Sequence, residues 1–149
     1  MISSKINNLN SYISKIVEVQ PVTKVGKGRK LLRFRVCLIM GNKSGIIGFG
    51  TGKDKNFFNS KLKGIEKAKK NLIELSLTDH KTITSGVTGK FRSAFIILKP
   101  AKSGTGLRAG NTIRTIFELA GITNIIAKQL GSCNILNNVV ATFLALQSI

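Results

Sequence analysis

Residues 24–53 read K-V-G-K-G-R-K-L-L-R-F-R-V-C-L-I-M-G-N-K-S-G-I-I-G-F-G-T-G-K, the most distinctive run in the chain. A basic, glycine-punctuated loop over residues 26–30 leads into a strand that carries Arg33 and Arg35. Because strand side chains alternate between faces, these two arginines are predicted on one face, opposite the core. Glycine lets a backbone approach a neighbour that a Cβ would block. Beside so many lysines and arginines, the predicted neighbour is phosphate.

The charge of the chain limits the kinds of partner it can have. It holds 24 lysine and arginine residues against 6 aspartate and glutamate residues, a formal net charge of +18 over 149 residues. Such an excess repels itself in a folded chain unless a polyanion neutralises it. Nucleic acid is the leading candidate, and an anionic membrane surface is the second. The basic residues are spread along the chain, which favours a folded protein embedded in nucleic acid.

Apolar periodicity predicts an α+β fold, and 42% hydrophobic residues supply material for a core. After a frayed lead-in over residues 1–11, alternating apolar residues predict strands over residues 12–25, 31–40 and 46–51, with Pro21 at an edge or a bulge. A helix is predicted over residues 53–77, because apolar residues recur there at helical spacing. The stripe expected to pack on the strands consists of Phe58, Leu62, Ile65, Ala68, Leu72 and Leu75.

A polar linker at residues 78–82 separates a domain over residues 12–78 from a second α/β domain over residues 83–149. In the second, strands are predicted over residues 83–90, 91–100 and 122–130. A helix capped by Asn111 or Thr112 is expected to stop at Gly121. A last helix follows the turn at residues 131–134. The predicted order is β-β-β-α followed by β-β-α-β-α, and the core of the last helix consists of Leu136, Val139, Val140, Phe143 and Leu146.

The cysteine content argues against disulfides and metal binding. Cys37 and Cys133 lie far apart, with no second cysteine or histidine near either. Both are expected to pack as small apolar residues in a reducing compartment. No apolar run approaches the roughly 20 residues that a membrane span needs.

The glycine loops invite a test for nucleotide binding. A Walker A loop needs a glycine, four intervening residues, Gly-Lys and then a serine or threonine. Here Ile47 stands at the first glycine position and Asp54 follows Lys53, so the motif fails at both ends. Residues 103–106 form a better anion nest, similar to phosphate loops of small-molecule kinases, but no acidic residue is placed to hold Mg²⁺. With one histidine and six scattered acidic residues, we predict no enzyme and no cofactor.

Binding therefore remains as the predicted activity. The chain has eight phenylalanines, one tyrosine and no tryptophan, and most of the phenylalanines fall on core phases. Stacking on single-stranded bases needs exposed aromatic rings, so structured RNA read through its shape and backbone is favoured. Three strands followed by a basic amphipathic helix are similar to a double-stranded-RNA-binding domain.

The order of several motifs resembles the small-subunit ribosomal protein S-five family of bacterial and organellar type, from about Ile16 to the end. No single motif is specific, but their joint order is. The matching segments are Val19-x-x-Val22-x-Lys24-x-x-Lys27-Gly28, Gly45-x-x-Gly48-Phe49-Gly50-x-Gly52-Lys53, Lys67-Ala68-Lys69-Lys70-Asn71, Gly86-Val87-Thr88-Gly89, Lys99-Pro100-Ala101-x-Ser103-Gly104-Thr105-Gly106, Ala109-Gly110-x-x-x-Arg114, Glu118-x-Ala120-Gly121 and Ala127-Lys128-x-x-Gly131-Ser132-x-Asn134.

The resemblance implies a double-stranded-RNA-binding-like first domain and an S-five-type second domain. It also implies a place in the small ribosomal subunit, bound to rRNA, beside the S-four and S-eight proteins and near the mRNA entrance, with an influence on decoding accuracy. No membrane or small-molecule partner is expected. Together with the basic loops it assigns rRNA binding to Lys24, Lys27, Gly28, Arg29, Lys30, Arg33, Arg35, Lys53, Lys55, Lys90, Arg92 and Lys102. The residues implied for the S-four interface are Gly104, Gly106, Arg108 and Arg114, and those for the S-eight interface are Gly131, Ser132 and Asn134.

Two departures from the family pattern affect the basic surface. Arg29 stands where a second glycine is usual, and Ile46 replaces a usual arginine. Abundant lysine, isoleucine and asparagine have A/T-rich codons, which indicates an A/T-rich genome. We therefore expect an organelle, with a mitochondrion favoured over a plastid, or the cytoplasm of an organism with a reduced A/T-rich genome.

Overall fold

The computed structural model describes residues 12–149, and its first sheet has four antiparallel strands. They lie in the order β1-β2-β3-β4, and one helix packs on one face of the sheet. The elements are β1 (Ile13–Gly26), β2 (Arg29–Gly41), β3 (Ile46–Asp54), α1 (Phe57–Lys70) and β4 (Leu72–Glu74).

The second sheet also has four strands, in the order β5-β6-β8-β7. β7 runs parallel to β8, and the other pairs are antiparallel. Two helices pack on its inner face, where Gly89 and Ala141 meet backbone to backbone. The elements are β5 (Val87–Phe91), β6 (Ala94–Pro100), β7 (Leu107–Arg108), α2 (Asn111–Ala120), β8 (Ile125–Gly131) and α3 (Ile135–Gln147).

The α+β class and the order of the predicted elements are confirmed. The short strands β4 and β7 were not predicted, because three and two residues carry too little periodicity to be recognised. The lead-in over residues 1–11 falls outside the described residues. The first helix ends at Lys70 instead of residue 77, because Leu72–Glu74 pairs with the free edge of β3.

A tight hairpin joins β1 to β2. Gly26 pairs with Arg29, so the turn consists of Lys27 and Gly28, and Gly28 has a φ of 71°. The predicted loop over residues 26–30 is therefore mostly strand. β1 is an edge strand, as Pro21 predicted, but the bulge lies at residues 16–18.

The alternating glycines of β3 lie beneath α1. A Cβ built on Gly50 would fall 2.1 Å from the carbonyl oxygen of Gly64. One built on Gly52 would fall 1.8 Å from the carbonyl oxygen of Ser60. Gly48 meets the same helix one turn further on. The prediction that these glycines admit phosphate is wrong: they admit a helix backbone.

This close packing changes which side of α1 is buried. Ser60, Gly64 and Ala68 are buried against the sheet. Phe58 is 70% exposed and Leu62 is 59% exposed, so the first half of the predicted apolar stripe does not face the sheet, whereas its Ala68 does. Small residues form the contact because only they let two backbones approach so closely.

The inner half of β2 is buried on both faces. Val36 and Leu38 face α1, whereas Cys37 and Ile39 join a cluster with residues of α2, β6, β8 and α3. By strand alternation, Arg33 and Arg35 lie on the same face of β2 as Cys37 and Ile39, which are part of this core. The prediction that the two arginines lie on the face opposite the core is therefore wrong. The two sheets share this core, and the division into domains at residues 78–83 stays a prediction.

Cys37 packs as a small apolar residue, as predicted. Burial, with a smaller contribution from the neighbouring Glu18 carboxylate, raises the pKa of its thiol to about 11. The thiol is therefore protonated and neutral at physiological pH, as a core position requires.

The turn between β2 and β3 is bound to the end of α2. The N–H of Lys43 donates to the carbonyl of Leu119, and the N–H of Gly45 donates to that of Ala120, both at 2.9 Å. Gly121 ends α2 as predicted, with a φ of 82°, and a Cβ there would fall 2.0 Å from the carbonyl oxygen of Lys43. The N-cap of α2 is Gly110, however, and neither Asn111 nor Thr112 caps it.

We predict that Gly50→Ala lowers the free energy of unfolding by about 3 kcal/mol, since overpacking of this kind forces backbone shifts. The added Cβ can be accommodated only by lifting α1 off the sheet. Urea denaturation of the full chain measures the change. Gly26→Ala is the control, because its Cβ meets nothing closer than 3.9 Å. Equal stability of the two variants would contradict the packing argument.

Candidate nucleic-acid interface

Five cationic side chains share one face of the outer half of the first sheet. The register pairs Arg35 with Lys53 and Lys24 with Leu31, and directly paired residues lie on one face. Residues 29, 31, 33 and 35 of β2 lie on that same face by alternation. The basic face therefore consists of Lys24, Arg29, Arg33, Arg35 and Lys53.

The hairpin tip extends this cationic surface. Lys24, Lys27, Arg29 and Lys30 are all exposed there. Val25, Gly26, Gly28, Arg29 and Lys30 line a shallow concavity of about 280 Å³. The register puts Lys30 on the opposite face from Arg29, so the tip presents cations on both sides.

A second group of cations surrounds the junction between β3 and α1. We define the junction cluster as Arg33, Lys53, Asp54, Lys55 and Lys63, which line a cavity of about 240 Å³. Lys63 donates to Asp54, and this hydrogen bond, with a smaller contribution from the Asn56 N–H, holds the pKa of that carboxyl below its ordinary value. One carboxylate thus stays ionised among four cations.

Arg33 connects the basic face with the junction cluster. Its Nε is buried and has no hydrogen-bond partner within residues 12–149. A buried donor without an acceptor is costly, and a guanidinium is suited to phosphate oxygens. The position favours an anionic ligand at this end of the sheet.

The other predicted rRNA-binding residues lie apart from the basic face. Lys90 is exposed on β5. Arg92, at a φ of 53°, forms the β5–β6 turn and lies 5.5 Å from the centre of the Phe91 ring. Lys102 follows the opposite end of β6. The structure therefore does not bring these three residues together.

The predicted anion nest at residues 103–106 is occupied by a side chain of the protein itself. The buried Asn124 accepts hydrogen bonds from the N–H groups of Gly104 and Gly106, at 3.1 and 3.2 Å. Its Nδ2 donates to the carbonyl of His80 at 2.9 Å. Asn124 thus fixes both the loop and the linker, and the nest has no free N–H pair at these glycines for a phosphate. Sequence reasoning missed it, because a lone asparagine carries no signal of such distant partners.

Two arginines assigned to the S-four interface have different surroundings. Arg108 is exposed on β7. Arg114 on α2 donates from Nε to Glu118 at 3.1 Å, and Lys15 of β1 approaches the same carboxylate at 3.5 Å. The hydrogen bond from Arg114, followed by the charge of Lys15, lowers the pKa of Glu118.

The residues assigned to the S-eight interface form the turn before α3. Gly131 has a φ of 76°, and a Cβ there would fall 2.1 Å from the carbonyl oxygen of Ser93. Asn134 caps α3 by accepting from the Asn137 N–H, and Ser132 Oγ accepts from the Asn134 N–H at 3.1 Å. These contacts within the chain explain the glycine, serine and asparagine at these positions, and no partner protein is needed to explain them. Cys133 in the same turn is exposed, so the prediction that it packs as an apolar residue is wrong.

Across residues 12–149, no group of three or more histidine, cysteine, aspartate or glutamate residues could hold a metal ion. Within the same part of the chain, no helix is long and apolar enough to cross a membrane.

Comparison with known families matches both halves of the chain. The family model described as ribosomal protein S5, N-terminal domain, matches residues 12–76, and that of the C-terminal domain matches residues 89–149. The chain is similar to the small ribosomal subunit protein uS5c of Cyanidium caldarium, at 43% identity over 139 residues, covering 93% of this chain and 83% of the relative.

Two further relatives agree. Small ribosomal subunit protein uS5c of Porphyra purpurea is 44% identical over 87% of this chain and 74% of the relative. Small ribosomal subunit protein uS5 of the cyanobacterium Microcystis aeruginosa is 44% identical over 91% of this chain and 78% of the relative. The chain belongs to the ribosomal protein S5 family, and the resemblance drawn from the sequence motifs is confirmed.

We predict that Asn124→Ala exposes the Gly104 and Gly106 amides to rapid hydrogen exchange and lowers the free energy of unfolding by about 2 kcal/mol, the cost of unsatisfied buried groups. Asn124→Asp is the matched control, because it keeps an acceptor for both amides while removing the donor to His80. Amide exchange measured by NMR distinguishes the two. Unchanged protection in the alanine variant would mean that Asn124 does not hold the loop.

Proposed function

We propose that the chain is a structural, non-enzymatic constituent of the small ribosomal subunit that binds its rRNA through the basic face and the hairpin tip. The proposal is carried by the alignment of five cations on one sheet face, in a chain of the ribosomal protein S5 family. Cations on a rigid sheet neutralise phosphates at fixed spacing and read shape more than sequence.

Three observations support this binding mode. The hairpin tip is a two-residue turn held by paired strands, so its lysines project from a defined position. Arg33 offers a buried donor that lacks an acceptor within the described chain. The net charge of +18 also requires a polyanion nearby. The junction cluster extends the same surface, and Lys90, Arg92 and Lys102 form separate rRNA contacts in this proposal.

We further propose the neighbours that the family resemblance implies. Gly104, Gly106, Arg108 and Arg114 contact the S-four protein and influence decoding accuracy. The turn with Gly131, Ser132 and Asn134 contacts the S-eight protein, and the chain lies near the mRNA entrance. Support for the first surface comes from its exposure: a Cβ on Gly104 or Gly106 would meet nothing within 4 Å.

We infer the cellular location from the relatives and not from codon usage. The reported relatives are plastid and cyanobacterial proteins, so the preference for a mitochondrion is not supported. We propose a small ribosomal subunit of plastid or bacterial type.

Sedimentation combined with ultraviolet crosslinking tests the function. The tagged chain is expected to sediment with small subunits, and its crosslinks are expected to fall in small-subunit rRNA. A chain that sediments freely, with crosslinks scattered over mRNAs, would move the function to a free-standing RNA-binding protein.

We predict that removing one cation of the basic face, as in Arg29→Ala or Arg35→Ala, weakens binding to small-subunit rRNA. The slope of log K against log salt should fall by about one unit, since one phosphate contact is lost. Filter binding at several salt concentrations measures it.

Lys43→Asn is the control for these variants. It also removes one positive charge, but at the other end of β2, and asparagine tolerates the φ of 58° at this position. Its slope should equal that of the unmodified chain. An unchanged slope for Arg29→Ala would remove that residue from the interface.

We predict that Gly106→Asp and Arg114→Ala alter miscoding more than subunit assembly. The aspartate adds a negative charge where its Cβ meets nothing within 4 Å, although the φ of 74° strains it, and the arginine variant leaves the Glu118 carboxylate with Lys15 alone. Gly86→Asp, in another exposed loop, controls for charge alone. Reporter assays of misreading and gradient profiles of subunits measure both effects, and an assembly defect with normal accuracy would refute the prediction.

A further inference from the structure

The first sheet is wider than the helix that covers it. Strands lie about 4.8 Å apart and a helix is about 10 Å across, so one helix covers about two strands. α1 packs on β3 through the glycines and on β2, where Ser60 Oγ donates to the carbonyl of Phe34 at 3.0 Å. The helix-bearing face of β1, and the outer half of β2, extend beyond it.

The uncovered strip of sheet is apolar. The register places Val19 beside Val36, Pro21 beside Phe34 and Thr23 beside Leu32, all on the helix-bearing face. Val19 is 42% exposed and Leu32 is 51% exposed. These are large apolar side chains in a sheet region that no element of residues 12–149 covers.

α1 supplies a wall beside this strip. Ile65 packs on the cluster that also holds Ile16 of β1, so this side of α1 faces β1. Leu62 and Phe58 precede Ile65 by three and seven residues and therefore lie on the same side. They are the exposed residues of the predicted apolar stripe.

Phe58 and Leu62 of α1 lie beside the uncovered apolar strip at the same position along the strands. Gly52 lies beneath Ser60 and pairs with Val36, and Asp54 pairs with Phe34. Phe58, half a turn before Ser60, is therefore level with the outer part of β2. We define the apolar groove as a floor of Val19, Pro21, Leu32 and Phe34 and a wall of Phe58 and Leu62.

The charges around the groove are mostly positive, and the acidic exception is Glu66, one turn after Leu62 on α1. Lys61 and Lys69 lie on the same side of α1 as Ile65, and Lys30 lies on the same face as Leu32. Glu18 lies on the other sheet face, and Asp54 is on β3 and bound to Lys63. An acidic occupant would find cations on both sides.

We propose that the apolar groove receives an amphipathic helix of a neighbouring protein, with apolar residues at i, i+4 and i+7 and acidic residues on its flanks. A helix of ordinary diameter fits beside α1 over β1 and the outer half of β2, and it completes the layer. RNA fits less well, because valine, proline and leucine form most of the groove and cannot stack on bases, and Phe58 is its one strongly exposed aromatic ring. A second copy of this chain would oppose like charges. The partner belongs to the assembled small subunit, so the inference rests on the proposed function.

The test places the photoreactive residue p-benzoylphenylalanine at position 62 of the chain inside assembled particles. The expected product is a crosslink to one protein, in a segment with acidic residues flanking helically spaced apolar ones. The same probe at position 67, which is exposed on the side of α1 turned away from Leu62 and Ile65, is the control and should not give that product. Crosslinks to RNA, to residues 1–11 of the same chain, to another copy, or to nothing would overturn the proposal.

A matched variant supplies the second arm. Phe58→Ser with Leu62→Ser alters two exposed side chains, so the isolated chain should unfold at the same urea concentration. In purified subunits, the amount of the crosslinked partner relative to this chain should fall at least tenfold. An unchanged amount would overturn the proposal, whereas loss of the unmodified chain from subunits would instead refute the proposed function.

Discussion

The contact between α1 and β3 determines the arrangement of the first half of the molecule. Because Gly50 and Gly52 present bare backbone to Gly64 and Ser60, the helix lies closer to the sheet than side chains would allow. This contact assigns one face of β3 to the helix and leaves Phe49 and Ile47 for the opposite face. That opposite face then becomes part of the core shared with the second sheet. The basic face is the outer part of this opposite face of the sheet, beyond the shared core.

Much of the fold follows from local patterns, and the exceptions have a common cause. Alternating apolar residues identify the long strands, and Gly121 marks the end of α2 because its φ of 82° suits glycine. The buried side of α1 could not be derived from its own periodicity, since Phe58 and Leu62 are the more apolar choice. The signal lay in β3: glycines at every second position mark a face to which a helix backbone can come close. Side-chain size on the facing strand decided the contact, not the hydrophobicity of the helix.

The candidate interface was predictable in part for the same reason. Register and alternation are local consequences of sequence, and they bring Arg33, Arg35 and Lys53 onto one face. The positions of Lys90 and Lys102 depend on how the second sheet is built, which motif order alone does not give. Asn124 depends on partners 18 to 44 residues away in sequence, at Gly106, Gly104 and His80. A buried hub of that kind becomes visible only when the chain is folded.

The shared core also has a consequence for the order in which the chain is synthesised. Cys37 and Ile39 leave the peptidyl-transferase centre about a hundred residues before the side chains of α3 that complete their surroundings. At roughly 5–20 residues per second, the nascent first sheet carries one uncovered apolar face for about 5–20 s. α1 protects the other face from the time residue 70 is made. The nascent chain is therefore half protected during its own translation, and the bare side is the one that a holding chaperone would bind.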